Sequence, residues 1–76
     1  MLEHLAEPIT VARKYLTNEL NKELSDLFDS YVIHQLPQIE NKLLNRLSNM
    51  KENYPEFVYL PFYKLYQQLK NSPPQV

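Results

Sequence analysis

The chain runs for 76 residues without a single glycine. Two-residue hairpins and phosphate-cradling loops rely on glycine to reach positive φ at no steric cost. A compact sheet protein or a glycine-loop nucleotide binder is therefore a poor fit. Leu, Glu, Lys and Gln are plentiful, and all favour helix. The sequence predicts an all-α protein.

Aromatic residues add a second constraint. Six of the nine fall between Tyr54 and Tyr66, punctuated by Pro55 and Pro61. Each ring offers on the order of 150–250 Å² to bury, so the segment 54–69 needs a surface to lie on. Either the rest of the chain or a partner must supply it. The length leaves room for one small domain over 1–76, and lone cores of this size are marginal. No cysteine is present, so neither a disulfide nor a thiolate metal site can add stability. Helix packing and association with another chain remain as the routes to stability.

In chain order, residues 1–7 read as a loose lead-in and 72–76 as a loose end. Pro8 suits a first helical turn, where its missing N–H costs nothing. From there Ile9, Ala12, Leu16, Leu20, Leu24, Leu27 and Tyr31 recur at spacings of three and four, one helical stripe. They predict one long helix over about 8–35, roughly 40 Å at about 1.5 Å per residue. Val11, Tyr15, Val32, Ile33 and Leu36 lie on the face that is polar in between. Neighbouring elements folding over both ends would explain them, and a partner at one end is the sharper reading. A break at Asp29-Ser30, either of which could N-cap a new helix, is a third.

Leu36 precedes Pro37 and so avoids the α region, which predicts a corner with Pro37 opening the second helix. The apolar rhythm crosses the proline, so a kinked continuous helix is the competing geometry. The second helix, about 38–53, buries Ile39, Leu43, Leu44, Leu47 and Met50. It turns Asn41, Asn45, Asn49 and Asn53 outward beside Lys42 and Arg46. Residues 56–60 suit extended chain or one helical turn. Pro61 then opens a third helix, about 61–71, with Phe62, Leu65, Tyr66 and Leu69 inward and Tyr59 and Tyr63 at the edge. The expected architecture is one long helix folded against two shorter ones, a hairpin or bundle that dimerisation could complete.

Residues 1–41 carry −4 and residues 42–76 carry +3. The halves can attract one another when the chain folds back, although exposed pairs contribute little. Chemistry finds few footholds. Glu19, Glu23, Asp26 and Asp29 ring the outer side of the first helix, and no serine has a base placed by a motif. Glu19 and Glu23 could share a cation but have no third ligand. His34 is expected as a packed histidine on the apolar stripe. No catalytic, cofactor or metal site is expected.

What remains is a small non-enzymatic protein–protein interaction module: an adaptor, regulatory subunit or inhibitor. Tyr59, Tyr63, Lys42, Asn45, Arg46 and Asn49 are its candidate contacts, and a homodimer through the first helix is expected. One alternative is a nucleic-acid-binding regulator using Lys42, Arg46 and Lys51, which the acidic first half opposes. Another is a membrane-surface role for residues 54–69. The start lacks a basic and apolar leader, and no run approaches the roughly 20 apolar residues of a span, so a cytoplasmic protein is expected.

Overall fold

The apolar rhythm from Ile9 to Tyr31 is unbroken, but the helix is not. In the computed structural model, which describes residues 3–72, the chain forms four helices. These are α1 (Glu3–Arg13), α2 (Asn18–His34), α3 (Pro37–Asn53) and α4 (Glu56–Lys70). No strand occurs among the described residues.

The predicted long helix is therefore two. After Arg13 the chain tightens through three-residue-back hydrogen bonds, Lys14 N to Val11 O, Tyr15 N to Ala12 O and Leu16 N to Arg13 O. Thr17 is extended, and its Oγ1 accepts from Leu20 N at 3.1 Å as the N-cap of α2. Asn21 Nδ2 reaches back across the break to Arg13 O at 3.0 Å. An unbroken helix of roughly 40 Å would overrun a molecule whose longest extent is 32 Å. The break instead lets α1 turn away and lie along α4. Asp29 and Ser30, the break considered from sequence, sit inside α2.

Two further boundaries move. The chain is already helical from Glu3, so the loose lead-in over 1–7 does not hold for residues 3–7, and Pro8 lies inside α1. Likewise Pro55, not Pro61, precedes α4, and Pro61 is an interior, buried residue. Val58 marks the second shift. It is fully enclosed, on a first helical turn in which Val58 N and Tyr59 N already bond Pro55 O. The predicted tail beyond Ser72 falls outside the described residues.

The Pro37 corner is present. Gln35 takes the left-handed conformation (φ 48, ψ 40) and its N–H bonds Tyr31 O at 2.9 Å, a left-handed C-cap. Leu36 is extended and Pro37 opens α3. Four helices contribute to one apolar cluster, with Leu5, Ile9 and Ala12 from α1 and Leu24, Phe28 and Tyr31 from α2. Leu43, Leu47 and Met50 come from α3, and Val58, Phe62, Leu65 and Tyr66 from α4. The aromatic segment thus packs mainly inward, with Phe62 stacked on Phe28 at 6.2 Å and Tyr66 near Tyr31 at 5.8 Å.

Candidate partner-binding groove

Helix pairing in this chain leaves a gap. α1 packs on α4, α2 packs on α3, and α3 packs on α4, while α1 and α2 hardly touch although they are consecutive. Between α1 and α2 lies a cleft of about 630 Å³. Phe62, Leu65 and Leu69 of α4 form its floor. Ile9 and Arg13 line one wall, and Leu24, Phe28, Val32 and Ile33 line the other. Each helix brings these residues because the flank of its stripe, next to the fully buried positions, faces the gap.

The cleft has a polarity. Arg13 stands at one end and Asp29 further along the opposite wall, with neither in an ion pair among the described residues. Asn21 lines the Arg13 end, with its amide nitrogen committed to Arg13 O and its Oδ1 enclosed without a partner. Ile33, at the Asp29 end, is 51 % exposed.

A polar cluster on the other side of α2 fixes that wall. Glu40 of α3 accepts from Tyr66 OH at 2.5 Å and from Tyr31 OH at 3.4 Å. Lys70 Nζ lies 3.6 Å from the same carboxylate and 5.8 Å from the centre of the Tyr66 ring. The Tyr66 hydrogen bond and the Lys70 charge hold the Glu40 carboxyl below its ordinary range. Burial, then the Glu40 contact, pushes the Tyr66 phenol up to about 12. Burial and the Glu40 charge raise Tyr31 as well. Each group is thereby held in its resting form, Glu40 ionised and both tyrosines protonated. The cluster is an interhelix clamp.

A second apolar surface lies on the opposite flank of α1. Val11, Tyr15 and Phe57 are exposed there, and the Tyr15 and Phe57 rings meet edge-on at 5.0 Å. Pro8, Val11 and Phe57 line a shallower hollow with His4 and Glu7. The expectation that other elements cover both ends of the first helical stretch therefore fails at Val11, Tyr15, Ile33 and Leu36.

The sequence-predicted contacts lie elsewhere. Lys42, Asn45, Arg46 and Asn49 are exposed on the outer side of α3, and Tyr59 and Tyr63 are half-buried on α4 with their rings 5.9 Å apart. None of the six lines the cleft. Arg46 is engaged with Glu23 of α2 at 2.7 Å, an interhelix pair between the acidic and basic halves. Lys51 is exposed at the end of α3. His34, expected in the core, is exposed at the end of α2 because that turn faces outward past Tyr31. No group of three metal-ligating side chains forms among the described residues. No helix among them is long and apolar enough to cross a membrane. Of the cleft residues, Ile9, Leu24, Phe62, Leu65 and Leu69 were on the predicted stripes, whereas Phe28 was not and Val32 and Ile33 were placed on the opposite face. The gap between α1 and α2 had no local signal.

The chain matches no family model, no curated protein and no solved structure. Its class is set by its own geometry, a small all-helical bundle of four helices with an open apolar groove.

Proposed function

We propose that this chain is a small non-enzymatic protein–protein interaction module, an adaptor, regulatory subunit or inhibitor, that also associates with itself. The observation supporting this reading is the open apolar cleft between α1 and α2. A chain of this size has little core to spare, yet it leaves Val32, Ile33 and Leu69 incompletely covered along a groove whose base is the core residues Phe62 and Leu65. Self-association is assigned to the Val11–Tyr15–Phe57 face, since the single long helix first expected to pair two copies is interrupted at Thr17. An isologous pair would use that same patch on both copies.

The outer face of α3 is a weaker docking surface. Its arginine is already paired with Glu23, which lowers the charge available for phosphate in the nucleic-acid alternative. The membrane-surface alternative loses most of its apolar face, because Val58, Pro61, Phe62, Leu65 and Tyr66 point inward.

Light scattering on the intact chain, beside a Val11→Glu/Phe57→Ser variant, tests the self-association. A mass that rises with concentration in the native chain and stays monomeric in the variant is the expected result. For the partner, cross-linking from Ser25, on the cleft wall, is compared between the native chain and Ile33→Glu. Adducts that persist unchanged in Ile33→Glu would count against the cleft.

A further inference from the structure

The cleft is specific enough to define its occupant. It is walled by two helices and floored by a third, so a rod-shaped guest would touch all three. From Asn21 to Ile33 the α2 wall runs about 18 Å at about 1.5 Å per residue, the length of a helix of about three turns. Among the described residues, none of the four helices is free to lie there. The stripes of α1 to α4 are already committed to the core, and the exposed apolar residues outside the cleft are spread between the Val11–Tyr15–Phe57 face and single positions such as Leu36. A second copy therefore brings surface patches to this cleft but no free helical stripe.

Charge completes the description. Arg13 and Asp29 are exposed, opposite in sign and unpaired among the described residues. Asp29 lies two helical turns beyond Asn21, which is bonded to Arg13 O, a step of roughly 12 Å along α2. We infer that the cleft between α1 and α2 seats one amphipathic helix of a partner protein, with an acidic residue near Arg13 and a basic residue about two turns away near Asp29. Its buried face presents apolar side chains at i, i+4 and i+7 to Val32, Ile33 and Leu69, the apolar lining residues that the core does not already cover. This is the helix-in-groove mode of recognition. The inference rests on the interaction-module reading and adds the chemistry of the partner to it.

The test is a displayed library of helical peptides of about twelve residues, randomised along one face and selected on the intact chain. Enriched peptides are expected to share the apolar triplet and an acid–base pair about two turns apart. They should shift the amide resonances of Leu24, Phe28, Ile33 and Leu65. An Arg13→Glu/Asp29→Lys variant, altered only at exposed positions, should enrich peptides of reversed polarity and bind the original set on the order of tenfold more weakly. Enrichment without charge preference would overturn the assigned polarity. A footprint on Val11 and Phe57 would overturn the cleft assignment while the interaction-module reading survives. Concentration-dependent shifts of the cleft resonances without peptide would give the site to a second copy. Dodecanoate saturating the cleft, with no peptide enriched there, would give it to an apolar small molecule. No enrichment on any surface would overturn both readings.

Discussion

Tyr66 on α4 donates a 2.5 Å hydrogen bond to the carboxylate of Glu40 on α3. The same carboxylate receives Tyr31 from α2 and Lys70 from one turn further along α4, so three helices meet on one oxygen. That contact sits behind the α2 wall of the cleft. It adds a polar tie between α2, α3 and α4 beside the apolar packing of Leu24, Phe28 and Tyr31 and the Glu23–Arg46 pair.

Acid should therefore loosen the bundle. Glu40 titrates below its ordinary 4.5 in the folded chain. Its contribution is present above the unfolded value and is lost as pH falls through the folded one. Denaturation midpoints measured from neutral pH downward should fall below about pH 4.5, and Glu40→Gln should be less stable at neutral pH with a flatter acid limb. An unchanged acid limb in Glu40→Gln would place the sensitivity elsewhere.

At the alkaline end the sign reverses. Tyr66 keeps its proton to about 12 in the folded chain against 10.0 for the free side chain. Its contribution is complete below pH 10 and disappears as pH rises toward the folded value. Absorbance titration of the phenolates should show at least one late tyrosine in the native chain. Tyr66→Phe should remove the latest step and cost about 1–3 kcal/mol at neutral pH through the lost hydrogen bond.

Gln35 should tolerate glycine better than alanine. Its positive φ costs a non-glycine residue roughly 1–2 kcal/mol. Its side chain donates 2.9 Å bonds to Leu69 O and Ser72 O, tying the α2–α3 corner to the end of α4. Gln35→Ala loses both bonds and keeps the strain, whereas Gln35→Gly loses the bonds and relaxes the backbone. Urea denaturation should place Gln35→Gly above Gln35→Ala by about 1 kcal/mol, with both below the native chain.

The break between α1 and α2 can be probed at its cap. Thr17→Ala removes the Oγ1 acceptor for Leu20 N and should cost about 1 kcal/mol. Pro8→Ala should do the opposite. Pro8 is exposed inside α1, and restoring its N–H should stabilise that helix by about 1–3 kcal/mol and raise its circular dichroism. A loss of helicity in Pro8→Ala would mean that the ring's contact with the Phe57 hollow outweighs the backbone gain.

Phe62 and Leu65 combine two roles, as core residues and as the cleft floor. Phe62→Ala should cost about 3–5 kcal/mol and Leu65→Ala about 2–5 kcal/mol, read from denaturation midpoints. Both are at most 7 % exposed, which leaves little room for a milder outcome.

Much of this architecture was legible in the residues. Of the first predicted stripe, Ile9, Ala12, Leu16, Leu24 and Tyr31 are buried and Leu20 and Leu27 half-buried; on α3, Leu43, Leu47 and Met50 are buried and Ile39 and Leu44 half-buried. The absence of glycine pointed to helices, and Pro37 marked a corner because its ring restricts Leu36. These are local effects, carried by side-chain period and backbone sterics within a few residues. Other features had no local signature. Thr17 is one potential cap among several, and the apolar rhythm passes through it. Pro55 and Pro61 are equally acceptable before a helix, and the folded chain starts α4 after Pro55, with Val58 enclosed in its first turn. The cleft depends on α1 choosing α4 over α2, a choice made by burial between residues far apart in the chain. Periodicity states which face of each helix must be covered; which helix covers it, and which flank is left open, is decided only when all four compete for the same core.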